Sequence, residues 1–370
     1  MKSDPTLLTE LRKYGDFDTN ACLQCGACTV VCSLASNTES FPRRPLRYAR
    51  LGLKGYLLGS LEPWLCYYCG ECSTTCPRQA NPAESMMTLR RYLSAQYDWT
   101  WLTARFYKSR IWQIGALVTA ALVMLATILL FFRSDRLFEF GHIFELSAIF
   151  TLALLVLAPN VVRMFQLVQE GTNPKPSFSL YLREIGTFMR HAITQVQLRK
   201  CKDKSFWLKH LFVVSGYLLT LILAALGGWF RTYAYPPFHP IKVIGIIVTT
   251  VLLVFLAILV ADRIRKREER QKHAQLSDWL FPVGLFTMIF TLVLAYLTLS
   301  LGMKEIGYVV YVIHLTVLVQ WALVIVPFSK WTHFLYRPLA IYFQTVKEKT
   351  VEEGVLQKEM TKEAVPSHAL

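Results

Sequence analysis

The sequence predicts a mainly α-helical protein in two parts: a small cysteine-rich helical domain on the cytoplasmic side of a membrane, then a bundle of six membrane-spanning helices. Three observations predict it. Eight of the nine cysteines fall between Cys22 and Cys76. From Tyr107 onward there are six apolar runs of about 17 to 25 residues, the length that crosses a hydrocarbon core near 30 Å thick as a helix. The formal charge of +15 is concentrated beside those runs, as in DRIRKREERQKH (262–273) and RKCKDK (199–204), which is how cytoplasmic loops of membrane proteins are composed. That placement, with no nucleic-acid-binding motif in the chain, argues against nucleic acid as the partner of the charge.

Residues 1–20, MKSDPTLLTELRKYGDFDTN, are polar and charged and hold no apolar signal core. The cysteines are therefore expected in a reducing compartment, where clustering points to metal ligation before disulfides. Both clusters read C-x2-C-x2-C-x3-C: Cys22, Cys25, Cys28 and Cys32 in CLQCGACTVVC, then Cys66, Cys69, Cys72 and Cys76 in CYYCGECSTTCP. Three cysteines at two-residue steps wrap one iron–sulfide cube while the fourth reaches a neighbouring one. Cys22, Cys25, Cys28 and Cys76 are thus expected to hold one [4Fe–4S] cluster, and Cys66, Cys69, Cys72 and Cys32 the other. Zinc usually draws pairs of ligands from separated C-x2-C knuckles, so a third cysteine at the next step is superfluous to it. Gly26 and Gly70, at the same place in each motif, let the backbone turn closely about the cube. The 33 residues between the motifs, with helical spacing over 46–58, leave room for a helix or two and predict a helical ferredoxin domain rather than a β-rich one. Arg43, Arg44, Arg47 and Arg50 form a basic group suited to an acidic partner or to phospholipid, or simply solvated.

The six runs lie at 111–132, 143–162, 208–230, 241–260, 280–301 and 308–326. Basic residues crowd the connections after the second and fourth (Lys175, Arg183, Arg190, Arg199, Lys200, Lys202 and Lys204; Arg263, Arg265, Lys266, Arg267, Arg270 and Lys272) and are sparse in the other three. Both termini are therefore expected in the cytoplasm. Residues 178–201, mixed apolar and basic after the breaker NPKP, predict an amphipathic helix on the inner membrane surface. The charged tail from Lys347 predicts a solvated helix. The expected domains are 1–105, 106–345 and a tail, 346–370.

His210, His239, His314 and His333 stand within or at the ends of spans. Ionisable residues there are expensive and usually functional, and in an electron-transfer protein paired histidines suggest haem ligation. By depth His210 pairs with His333 near the cytoplasmic face, and His239 with His314 toward the outer one. His314 and His333 are 19 residues apart, about 28 Å of helix, so they cannot share a haem. On one ideal helix they would also point about 100° apart, a mismatch that a kink at Pro327 would absorb. His239 precedes Pro240, which makes it a less regular ligand, and His142 is its rival opposite His314. His191, His273 and His368 read as surface residues, Cys201 as an unliganded thiol.

The whole chain, over about residues 15–345, resembles the membrane C subunit of the quinone-interacting membrane-bound oxidoreductases of sulfate reducers. That family is itself similar to a ferredoxin of the heterodisulfide reductase C-subunit kind fused to a nitrate reductase gamma-type cytochrome b. The resemblance rests on the cysteine motifs, PRRPLRYARLGLKG, WLCYYCGECSTTCPRQANPAE, LRKCKDKSFWLKHLFVVSGYLLT, FHPIKVIG and KWTHFLYRPLAIY. It implies a cytochrome b-type bundle with two b haems and a quinone pocket, His210 and His333 matching the inner haem pair. Two positions depart from the pattern. Ser33 follows Cys32 where relatives often carry proline. Thr220 stands where the nitrate reductase cytochrome has its second histidine on that helix, so the outer haem needs another ligand, for which His239 is chosen. The chain shows no dinucleotide or phosphate-binding fingerprint, so the expected function is a wire between menaquinone and soluble flavin and iron–sulfur subunits in a bacterial or archaeal cytoplasmic membrane. Lys209, Lys330 and Arg337 are candidates to line the quinone pocket. The alternatives are a haem-free membrane-anchored ferredoxin and an electron-input subunit of a formate- or heterodisulfide-linked complex.

Overall fold

Helices account for all the regular structure among the described residues, in the order that cysteine spacing and apolar runs predict. The computed structural model describes residues 3–35, 40–131, 136–200, 204–227, 240–266, 271 and 273–363. The N-terminal domain is built from α1 (Leu7–Arg12), α2 (Ala27–Val30), α3 (Arg43–Arg50), α4 (Lys54–Leu58), α5 (Glu62–Leu65), α6 (Glu71–Thr74), α7 (Pro82–Tyr97) and α8 (Leu102–Lys108). The helical reading of 46–58 arrives as two pieces because Gly52, at φ 68°, turns the chain between α3 and α4. A left-handed residue ends a helix cheaply only as glycine.

α7 is the centre of the domain. Pro82 at its first position and the Asn81 side chain, which accepts from the Glu84 amide, start it. Nearly every residue along it is buried, including Glu84, Arg90 and Arg91. A helix enclosed on all sides can carry such groups only if each is paired, and each is. Arg91 meets Glu84 at 3.0 Å and Asp278 at 2.8 Å. Arg90 donates to the carbonyls of Pro63, Trp64 and Cys66.

Among the described residues six helices are long and apolar enough to cross a membrane: Arg110–Phe131, Leu137–Glu170, Lys204–Ala225, Pro240–Ile264, Leu276–Ser300 and Lys304–Phe328. Each contains or closely overlaps one predicted run. The second carries a π-helical turn, Ala153–Leu157, and the sixth another, Trp321–Ile325. Gly141 lets the second span approach the sixth, since a Cβ there would collide with the Tyr311 hydroxyl. Small residues at such crossings let membrane helices touch. The segment after the second span forms two short helices, Phe178–Arg183 and Ile185–Thr194, and a 3-10 turn, Val196–Lys200. Phe178, Leu182, Ile185, Met189 and Ile193 are all exposed, an apolar stripe at steps of three and four. Cys201 and His368 lie outside the described residues.

The two parts share a core. Met164 and Val168 of the second span, with Tyr336, Ala340 and Phe343 of the C-terminal helix His333–Glu363, join the cluster around Trp64, Leu89 and Tyr97. The Tyr336 ring meets Trp64 at 5.1 Å and Tyr97 at 5.3 Å, both edge-on, the arrangement that aromatic quadrupoles prefer. The C-terminal helix runs on through residue 345 and is tied to the segment after the second span by ion pairs Lys349–Glu184 and Arg183–Glu353.

Candidate functional site

The two cysteine motifs fold into copies of one loop. Gln24 and Tyr68, each two residues after the first cysteine, sit at φ 57° and 55°, and Gly26 and Gly70 both sit at φ 88°. A one-turn helix follows each, α2 and α6. Left-handed non-glycine residues cost about 1–2 kcal/mol each, so two at matching places mark a conformation held for a purpose. The turns bring sulfur within reach of donors: the Gln24 amide reaches Cys22 Sγ at 3.5 Å, Tyr68 N reaches Cys66 Sγ at 3.3 Å and Ala80 N reaches Cys76 Sγ at 3.4 Å.

Cys22, Cys25, Cys28 and Cys76 line one space, and Cys32, Cys66, Cys69 and Cys72 another, each of about 380 Å3 with its open mouth included. The fourth cysteine of each motif has crossed to the other's site. Among the described residues no three Cys, His, Asp or Glu side chains close on a point that one metal ion could share. Burial raises the thiol pKa of Cys28, Cys69 and Cys72, and pushes Cys32 up to about 11, with neighbouring thiols adding to it. Such groups are thiolates together only beside compensating positive charge, which iron supplies. The donor set fits two [4Fe–4S] clusters.

His210 and His333 face each other, with ring centres 6.2 Å apart and planes at 69°. Metal–imidazole bonds of about 2 Å on either side of one ion set ring centres roughly 6 Å apart. His333 Nδ1 is held by the Lys330 carbonyl oxygen; a carbonyl only accepts, so Nδ1 carries the proton and Nε2 keeps its lone pair. Burial, with His210 and Lys330 adding to it, holds the His333 imidazolium well below its usual range, leaving a neutral base. The cavity at this pair is also lined by Arg337, Gln197 and His191. His191, whose sequence context reads as surface, belongs to this site instead.

His314 stands elsewhere, ten residues into the sixth span and buried. Its Nδ1 is 3.1 Å from Thr291 Oγ1. The Thr291 hydroxyl already donates to the helix carbonyls of Thr287 and Met288, so it accepts from His314 and leaves Nε2 with the lone pair. Between His314 and His333 the chain is not one helix. The π turn is followed by Val326–Phe328, an extended Ser329 and a 3-10 turn, Lys330–Thr332. The break expected at Pro327 is thus spread over that stretch. His314 lines a cavity of about 950 Å3, its open side included, with Glu145, Tyr217, Thr220, Trp321 and Trp331. His142 is not among its lining residues, and His142 Nδ1 has no hydrogen-bond partner among the described residues. His239 lies outside the described residues.

Of the quinone candidates, Lys209 pairs with Asp262 at 2.9 Å and Lys330 with Asp278 at 3.2 Å, while the Arg337 guanidinium lies over the Tyr67 ring at 5.3 Å. Sequence reasoning missed Glu145, Tyr217 and Trp331. The one available signal was Glu145, a carboxylate inside an apolar run.

What the fold and site define is a class: a two-cluster iron–sulfur domain carried on six helices of membrane-spanning length. Residues 18–80 match the family model of a 4Fe-4S dicluster domain. A protein of Archaeoglobus profundus named for its likeness to the heterodisulfide reductase C subunit is 38% identical over 77 residues, 20% of this chain and 41% of that protein. The C subunit of the ferredoxin:CoB-CoM heterodisulfide reductase of Methanosarcina acetivorans is 37% identical over 86 residues, 23% of this chain and 34% of that one. The second iron-sulfur C subunit of the CoB-CoM heterodisulfide reductase of Methanocaldococcus jannaschii is 36% identical over 100 residues, 27% of this chain and 53% of that one. This chain thus spans 34% to 53% of the length of these three relatives. No solved structure matches it significantly. The N-terminal part is therefore a dicluster domain related to the heterodisulfide reductase C subunit, joined to six long apolar helices.

Proposed function

We propose that the chain is the membrane electron-transfer subunit of a quinone-linked oxidoreductase complex, of the kind that the membrane C subunit of quinone-interacting membrane-bound oxidoreductases represents. It passes electrons between menaquinone and soluble flavin and iron–sulfur subunits in the cytoplasm. Its relatives, subunits of heterodisulfide reductases by name, support a role inside a larger complex. Cys22, Cys25, Cys28 and Cys76 ligate one cluster and Cys66, Cys69, Cys72 and Cys32 the other. His210 and His333 would hold a b haem near the cytoplasmic face, which would supply one-electron transfer there. The observation that carries this reading is the pair of facing imidazoles at 6.2 Å, one with its tautomer set by a backbone carbonyl.

The bound groups supply one-electron chemistry, and the chain's own residues position them and handle protons. Oxidation of a quinol releases two electrons and two protons, so its pocket needs a group that accepts a proton. One reading gives His314, with His239 opposite it, to a second haem. The cavity favours another reading of His314. Among the described residues its lining has one imidazole, His314, and one carboxylate, Glu145, in otherwise largely apolar surroundings, the composition of a site for an apolar ring with polar edges. On that reading the cavity takes the quinone, and the chain carries one haem.

A dithionite-reduced minus oxidised spectrum with a pyridine haemochrome count of the detergent-purified chain separates these readings. Two b haems per chain support the His239–His314 site. One haem, lost in His333→Ala and kept in His314→Ala, supports the quinone cavity. No haem at all overturns the cytochrome reading and leaves a membrane-anchored dicluster ferredoxin.

A further inference from the structure

The two cysteine loops share a backbone but not an environment. Cys25 and Cys69, at equivalent places, are both exposed. The residues before them differ sharply: Leu23 is 65% exposed, whereas its counterpart Tyr67 is 6% exposed. The Arg337 guanidinium lies over the Tyr67 ring at 5.3 Å, and Arg337 lines the cavity of His210 and His333 one helical turn beyond His333. The neighbouring Tyr68 ring lies 5.8 Å from Lys330 Nζ, and the Lys330 carbonyl holds His333 Nδ1. Both residues between Cys66 and Cys69 therefore touch cations that flank His333. The first motif instead opens outward, with Leu23 and Val30 exposed and Arg47, Arg50 and Arg78 exposed nearby.

We propose that the carrier held by Cys66, Cys69, Cys72 and Cys32 is the one that exchanges electrons with the His210–His333 site across Tyr67 and Arg337, and that the carrier held by Cys22, Cys25, Cys28 and Cys76 is the outer one. This rests on the reading of His210 and His333 as a haem pair. In the step between them one electron moves, the donor iron oxidised by one and the acceptor cluster reduced by one, with no bond or proton exchanged. Arg337 is a positioning residue between the two. Its positive charge favours the reduced, more negative form of whatever lies on either side, so it raises both potentials.

The test is a redox titration of the purified full chain, with the clusters followed by electron paramagnetic resonance and the haem by its absorption band. Cys25→Ala leaves the second-motif cluster and Cys69→Ala the first-motif cluster. Arg337→Met is expected to lower the midpoint potential of the haem and of the cluster remaining in Cys25→Ala, and to leave unmoved the one remaining in Cys69→Ala. Arg337→Lys is expected to restore both. A shift confined to the Cys69→Ala cluster, or no cluster shift, overturns the order. The same shift from lysine as from methionine overturns the electrostatic role of Arg337. Absence of a haem band overturns the haem reading on which the proposal stands, and the cluster potentials still report separately whether Arg337 lies beside the second motif.

Discussion

Gly26 occupies φ 88°, and the nearest atom to a methyl placed on it, Arg43 Nη1, would stand at 3.6 Å. Space is therefore open, and only the backbone conformation opposes a side chain. Gly26→Ala should cost about 1–2 kcal/mol and lower the temperature at which the first-motif cluster bleaches, as read from the visible absorbance of Cys69→Ala protein. An unchanged bleaching temperature would mean that the loop relaxes without penalty. The motif glycines were legible because one turn geometry repeats at one spacing. The opposite burial of Leu23 and Tyr67 was not, because it comes from tertiary packing: Tyr67 meets Arg337, 270 residues away in the chain.

Among the elements, α7 is joined to the start of the fifth span by a buried charge cluster. Asp278 accepts from Arg91 at 2.8 Å and from Lys330 at 3.2 Å, and its Oδ2 takes the Gln275 amide at 3.0 Å. Asp278→Asn keeps an acceptor for the helix cap but removes the charge, leaving the buried Arg91 with Glu84 alone and taking the carboxylate from the partly exposed Lys330. Breaking a buried pair outright costs about 3–5 kcal/mol, and the Glu84 partner that Arg91 keeps makes the expected loss smaller than that. Urea titration of the cluster absorbance should show that loss, and pairing it with Arg91→Met should recover part of it, since coupled residues are not additive. Additive losses would deny the coupling. The predicted fifth run begins at 280, two residues after Asp278, so the cluster was not legible in the sequence: Asp278 lies in the first turn of the helix Leu276–Ser300, and its partner on α7 has no local signature.

For the molecule as a whole, the charge asymmetry of the connections predicts that both termini are cytoplasmic, and the shared core of Trp64, Tyr97 and Tyr336 holds the cysteine domain against the bundle. Alkaline phosphatase fused after Met303, in the turn between the fifth and sixth spans, should be active, and fused at Glu363 inactive. The reverse pattern would invert the orientation. The exposed stripe from Phe178 to Ile193 fits a lipid interface on the same side as the termini, where apolar side chains leave water without needing a protein partner.

The two cysteine loops, the six spans and the crossed cysteines could be read from the order of residues alone, because each follows from local geometry: the reach of a few residues about a cube, and the rise of a helix across a bilayer. The pairing of His210 with His333 was legible too, from their matching depth in the spans, whereas folding in three dimensions settled the rest: that His191 and Arg337 stand with them, that Glu145 shares a cavity with His314, and which cysteine loop turns toward the membrane part. Those relations join residues far apart in the chain, and they arise from how helices pack rather than from any spacing along one of them.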